Sequence, residues 1–362
     1  MTTVIEKESK TPEAFAERVF GSYLAMIDVF AMHVGERLSL YRAIADHGPV
    51  TIDDLHRHTG IDPRYAREWL EHQTVTGILA VDDAGLAADQ RGYSLPAGHA
   101  EVLLDRDSLN YLAPLLKIGM ASAGVMPEMI DAYATGGGVS WEQLGVNARV
   151  GQADMNRPWY LQSIGPDWFP RVPELDATLR GGGVVADIGC GEGWSTIAIA
   201  HAYPKATVVG FDVDEPSIEA ATRNAIESGV SDRVQFHAVD VATLDETDLY
   251  DAVVGFEFIH DLARPVMVLE AMRRMAKPGA PIVILDENVG EAFTGEADDV
   301  ERLMYAFSLF VCLPDSMAQE PTAATGTVMR PGVMKAYATE AGFADAVAVS
   351  IDNDLWRFYQ LV

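Results

Sequence analysis

The run Val184-Val185-Ala186-Asp187-Ile188-Gly189-Cys190-Gly191-Glu192-Gly193-Trp194-Ser195 begins apolar, passes an acid and then places glycines at alternate positions. The apolar start reads as a buried strand and the end as the opening of a helix. Glycines between them let the backbone approach a ligand that a Cβ would exclude. A dinucleotide-binding fingerprint would put its third glycine at position 194, where the chain has Trp194, and would leave Asp187 without a role.

Downstream, short apolar runs at 206–211, 234–238, 250–255 and 281–285 alternate with helical patterns that start near Ser195, Pro216 and Pro265. Strands alternating with helices predict a parallel, doubly wound α/β sheet. A further helix at 330–342 and strand-like runs at 344–351 and 355–362 predict an antiparallel edge. The second strand ends in Asp212, placed to accept hydrogen bonds from both hydroxyls of a ribose. The third ends in Asp240-Val241, a carboxylate available to an exocyclic amine. Three acids at successive strand ends, with no basic group for phosphate, select a phosphate-free nucleoside.

On these residues, 175–290 resembles the class I S-adenosylmethionine-dependent methyltransferase domain, with its Rossmann-like sheet. The whole chain is similar to actinobacterial small-molecule methyltransferases and plant-type O-methyltransferases. The resemblance implies S-adenosyl-L-methionine as cofactor, S-adenosyl-L-homocysteine as product and a small-molecule acceptor. It also implies that Asp187, Gly189, Gly191 and Gly193 line the methionine and ribose. Asp212 with Val213 would hold the ribose, Asp240 and Val241 would border the adenine, and Phe256 would lie at the next strand end. After that strand, Ile259-His260-Asp261-Leu262 matches a Leu-His-Asp-Trp signature whose His is the general base, with Leu262 in place of the Trp. Glu287 sits near the position of the family's orienting acid. Imidazole suits removal of a proton from an attacking hydroxyl. In the other reading His260 is structural and Asp261 caps the following helix; nitrogen or carbon methylation without a base would then be expected.

Before the sheet, residues 12–165 read as mainly helical and 166–362 as the cofactor-binding domain. Phe15, Val19, Phe20, Tyr23, Ile27, Phe30 and Val34 recur at three- and four-residue steps, as one buried helical stripe. Thr51 with Asp54 predicts a capping box, Gly60 a stop, Asp62-Pro63 a second start, and 78–95 a hairpin. That order is a winged helix-turn-helix. From Glu36 to His99 ten Asp and Glu face six Arg, so a packing or dimerisation role is expected ahead of DNA binding or a ligand-sensing regulator. After the glycines at 136–138, the proline-bearing stretches 157–161 and 166–170 read as irregular. An insertion at 291–327 carries Leu303, Met304, Phe307, Phe310 and Met317. With Met120, Met126, Trp141 and Tyr160 these form a candidate lining for a flat, apolar acceptor.

With 362 residues, 49% of them hydrophobic, two folded domains are expected. A net charge of −28 repels phosphate backbones and anionic lipid, so neither nucleic acid nor membrane is expected as a partner. Cys190 and Cys312 are too few for a disulfide framework and lie in no paired ligand spacing, so no metal is expected and a reducing cytoplasm fits. Cys190 reads as a small loop residue. Residues 1–10 have no apolar signal core. The apolar helix near the N-terminus is expected to be covered by a second copy, giving a homodimer.

Overall fold

The computed structural model describes residues 10–362, so the N-terminal reading at 1–9 lies outside the described residues. They divide into two compact units, one reaching to Met120 and the other spanning Ala121–Val362.

The first unit opens with α1 (Pro12–Arg37), started by Thr11, whose hydroxyl accepts from Ala14 N–H, and by Pro12 at the first helical position. Then come α2 (Leu40–His47), α3 (Ile52–Thr59) and α4 (Pro63–Val75). The predicted capping box at Thr51 and Asp54 is present, and Gly60 ends α3 at φ 76°. β1 (Ala80–Val81) pairs antiparallel with β2 (Tyr93–Ser94), completing the wing; α5 (Ala97–Leu104) follows, and α6 (Ala113–Gly124) begins in this unit and ends in the next. Leu40, Ile44, Leu55, Leu70 and Tyr93 form the core of this unit. Gly35 lets α1 lie against Trp69 and Tyr41, because a Cβ there would come within 2.5 Å of the indole. The stripe expected to be buried is not buried within the chain: Phe15 and Phe20 are each 63% exposed, and Tyr23, Phe30 and Val34 are exposed with them.

The second unit adds α7 (Met126–Thr135), α8 (Trp141–Ser163), α9 (Pro173–Gly181), β3 (Val184–Ile188), α10 (Trp194–Ala202), β4 (Thr207–Asp212), α11 (Glu215–Glu227) and β5 (Val234–Ala238). It continues with β6 (Ala252–Phe256), α12 (Pro265–Met275), β7 (Ile282–Glu287), α13 (Asp299–Phe307), α14 (Leu313–Met317), α15 (Pro331–Glu340), β8 (Ala346–Val349) and β9 (Trp356–Leu361). The seven strands run β5-β4-β3-β6-β7-β9-β8, parallel except for β9, which is antiparallel to both neighbours. Alternate strand residues fill opposite layers: Val185, Val208, Val254 and Leu285 on one face, Ile188, Phe211, Val253 and Ile284 on the other. Chain order reverses between β3 and β6, the crevice where open parallel sheets take ligands.

Two expectations change here. The stretch 157–161 is helical, not irregular: α8 runs through Pro158 to Ser163, started by a capping box between Ser140 and Gln143. Burial explains the tolerance, since Ala148, Gly151, Pro158 and Tyr160 are all inward-facing and α8 packs on α10. For the same reason the compact units separate at 120/121 instead of 165/166, with α7 and α8 counted beside the sheet. In the described residues no helix is long and apolar enough to cross a membrane.

Candidate functional site

Asp187, next to last in β3, is fully buried. Its Oδ2 accepts from the Ser195 and Thr196 hydroxyls, both at 2.6 Å, tying the strand end to the first turn of α10. Burial pushes its pKa up to about 6 against the pull of those two hydroxyls. The glycines between strand and helix all take left-handed backbone, with φ of 72°, 50° and 81°. They differ in what they face. A Cβ on Gly189 would lie 2.7 Å from the Phe258 ring, and one on Gly193 would lie 2.8 Å from Ala221 and 2.9 Å from Phe236. Gly191 meets nothing within 4 Å, so of the three it is the one whose backbone opens to a ligand. Cys190 is buried, and burial pushes its thiol well up, which leaves it inert.

Asp212, at the end of β4, is locked to this loop. Gly191 N–H donates to its Oδ2 at 2.8 Å and Asp214 N–H to its Oδ1 at 2.9 Å. Each oxygen keeps a lone pair for a diol. Asp214 caps α11 and receives a two-pronged bond from Arg149 of α8, at 2.7 and 2.9 Å. Val213 is 73% exposed at the same edge. Asp240 uses Oδ1 to cap the turn Val241–Thr243, while Oδ2 lies 3.4 Å from Arg264 and Val241 is buried. Phe256 does not join the ligand edge: its ring sits in the core against Tyr160 and Phe169.

The next strand ends carry the acids and the histidine. Glu257, to which the sequence reading gave no role, holds φ 52° and accepts from Tyr160 OH at 2.6 Å, with Gln152 at 3.5 Å. Burial raises its pKa to about 7. The available signal was an ionisable side chain immediately after a strand on the ligand edge. His260 is 2% exposed, with Nδ1 at 2.7 Å from Asp286 Oδ1 and Nε2 at 3.1 Å from Asp261 Oδ1. Burial alone would lower its pKa; the two carboxylates overcome this and hold it well above the ordinary value. The acid on the imidazole is thus Asp286, where Glu287 was expected. Successive strand residues point to opposite faces, so only one of the pair can reach His260. Glu287 is buried near Glu257, and burial followed by that like charge raises its pKa well above the ordinary range. Nor does Asp261 cap the following helix: α12 starts at Pro265 with Arg264 at its cap position.

Of the proposed apolar lining, Met304 is buried and Tyr160 is engaged by Glu257, while the insertion is fixed by Tyr133 OH to Leu309 O and by Trp141 N–H to Asp315.

Residues 179–326 match a family described as a methyltransferase domain, and residues 26–105 one described as an Rv2258c-like winged HTH domain. The first match covers the sheet from the end of α9 through the insertion. A 27-O-demethylrifamycin SV methyltransferase of Amycolatopsis mediterranei is 31% identical over 126 residues, covering 34% of this chain and 46% of that protein. The matched stretches span 40 to 46% of the first curated relatives, so the likeness there is to part of each protein. In fold, the mitomycin 7-O-methyltransferase superposes with TM-score 0.70 at 19% identity over 96% of this chain and 98% of that one. The human N-acetylserotonin methyltransferase, in complex with SAM, gives 0.69 at 16% identity over 100% and 99%. These are likenesses of fold, extending from the winged unit through the methyltransferase domain.

Proposed function

We propose that this chain is an S-adenosylmethionine-dependent methyltransferase acting on the hydroxyl of a small molecule, with S-adenosylhomocysteine as product. The observation that carries the reading is Asp212, bonded to the one open glycine of the loop, Gly191, in the crevice where strand order reverses. That pairing offers diol acceptors beside exposed backbone and suits a nucleoside. Acids at the strand ends favour one that carries positive charge in place of phosphate.

When bound, the cofactor would supply an electrophilic sulfonium methyl for the acceptor oxygen, its sulfur keeping the electron pair of the broken carbon–sulfur bond. The residues of this chain do the remainder. Asp212 and the Gly191 backbone hold the ribose end. Glu257, steadied by Tyr160, presents an acid toward the cationic end. His260, in the neutral form it reaches above its raised pKa, takes the hydroxyl proton, with Asp286 fixing its ring and the partly exposed Asp261 beside Nε2. The near-complete burial of His260 favours one second reading, transfer to nitrogen or carbon without a base. We place the enzyme in the cytoplasm as a homodimer covered along α1.

The test is calorimetry with S-adenosylmethionine and S-adenosylhomocysteine, followed by mass spectrometry of a metabolite extract treated with enzyme and labelled cofactor. A labelled methyl on oxygen is expected; no binding of either nucleoside would overturn the reading.

A further inference from the structure

His260, Asp261 and Cys312 bring a nitrogen, an oxygen and a sulfur together. The first two lie in the turn Ile259–Asp261 after β6. Cys312 ends the π-helical turn Ser308–Cys312 in the insertion, a local geometry that is rare and concentrated at functional sites. The three donor atoms lie within 4.8 Å of one another. Donors bound tetrahedrally to zinc at about 2.0 to 2.3 Å stand roughly 3 to 4 Å apart, so side-chain adjustment of about 1 Å closes the set.

Three observations separate this group from a chance cluster. Asp261 Oδ1 is buried and faces His260 Nε2 at 3.1 Å, so two of the three donors already converge. The opposite ring nitrogen, Nδ1, is held at 2.7 Å by Asp286, the carboxylate–histidine arrangement that directs the other nitrogen at a metal. The group meets solvent at Asp261, whose side chain is 36% exposed, whereas His260 and Cys312 are buried.

The geometry points to a thiophilic divalent-cation site, for zinc or its cobalt substitute, formed by His260 Nε2, Asp261 Oδ1 and Cys312 Sγ, with one position open. Among the described residues it is the one such group of three donors. The mixed nitrogen, oxygen and sulfur set suits zinc and disfavours magnesium or calcium, which take oxygen. Coordination forms a sulfur–metal bond as the thiol proton leaves to solvent, with no change of oxidation state. The site goes beyond the methyl-transfer reading and stands or falls separately. An ion on Nε2 occupies the lone pair that reading gives to the acceptor proton, so ion and acceptor compete.

The experiment is titration of the whole reduced protein with cobalt(II), read by absorption. One equivalent is expected to bring a thiolate-to-cobalt charge-transfer band and tetrahedral visible bands, both erased by zinc. With only two cysteines the assignment is direct: Cys312→Ser loses the band and Cys190→Ser keeps it. Asp261→Asn, which leaves the thiol in place, is expected to weaken cobalt at least tenfold with the band still attainable at higher metal. Absence of a charge-transfer band in the folded wild type, or a band that survives Cys312→Ser, would overturn the site.

Discussion

Asp286 holds the imidazole of His260 at 2.7 Å, and its own Oδ1 also receives the N–H of Glu287 at 2.9 Å. The acid that orients the histidine is therefore itself fixed from its neighbour's backbone. If His260 takes the acceptor proton, His260→Ala should lower kcat by about 100- to 10,000-fold with cofactor affinity intact. Asp286→Asn should cost about 10- to 100-fold through loss of orientation. Glu287→Gln should change kcat by no more than a few-fold. Steady-state kinetics on the three variants decide this, and a Glu287→Gln loss larger than that of Asp286→Asn would refute it.

Asp212 is expected to carry much of the nucleoside affinity. Asp212→Ala removes a charged acceptor and also frees the Gly191 N–H, weakening S-adenosylhomocysteine binding by about 1.5 to 3 kcal/mol in calorimetry. Asp240→Ala, whose carboxylate is spent on a turn cap and Arg264, should lose less.

Acid should stabilise the unliganded protein over one window. Asp187 is raised to about 6 and Glu257 to about 7, both by burial, so each binds a proton more tightly folded than unfolded. Their contribution is complete below the unfolded value and is lost as pH rises through 6 and 7, on the order of 3 kcal/mol for Asp187. Carboxylates such as Asp54, held down to about 2 by the Thr51 cap and Arg57, act in the opposite sense only at lower pH. Tm measured without cofactor should fall between pH 5 and pH 8, and Glu257→Gln should reduce the fall. A flat profile in wild type would count against both shifts.

The exposed face of α1 predicts self-association. Light scattering should give twice 39.3 kDa at micromolar concentration, and Phe20→Glu with Tyr23→Glu should return it toward 39.3 kDa with helicity kept. A monomeric wild type would remove the homodimer.

Much of the sheet was readable because central parallel strands buried on both faces are continuous apolar runs; β3 falls on its expected residues and β4, β6 and β7 shift by a residue or two, while the exposed edge strand β5 also falls where expected. The acids at strand ends were readable for the same reason. What escaped depends on facing and on distance along the chain. Asp286 and Glu287 are adjacent, and only the pleat decides which one meets His260. Tyr160 reaches Glu257 across 97 positions, and Arg149 reaches Asp214 across 65. The period of α1 announces an apolar stripe without saying what covers it.

Because α8 supplies Arg149 to Asp214 and Tyr160 to Glu257, one helix braces two ends of the crevice from outside the sheet. A gene-shuffling joint placed just before β3 would sever both braces and uncover Ile164 and Trp168. Recombination that trades winged units between relatives should therefore survive upstream of Trp141 and fail between α8 and β3. Lineages of such chains are expected to inherit α8 together with the sheet as a single exchangeable piece.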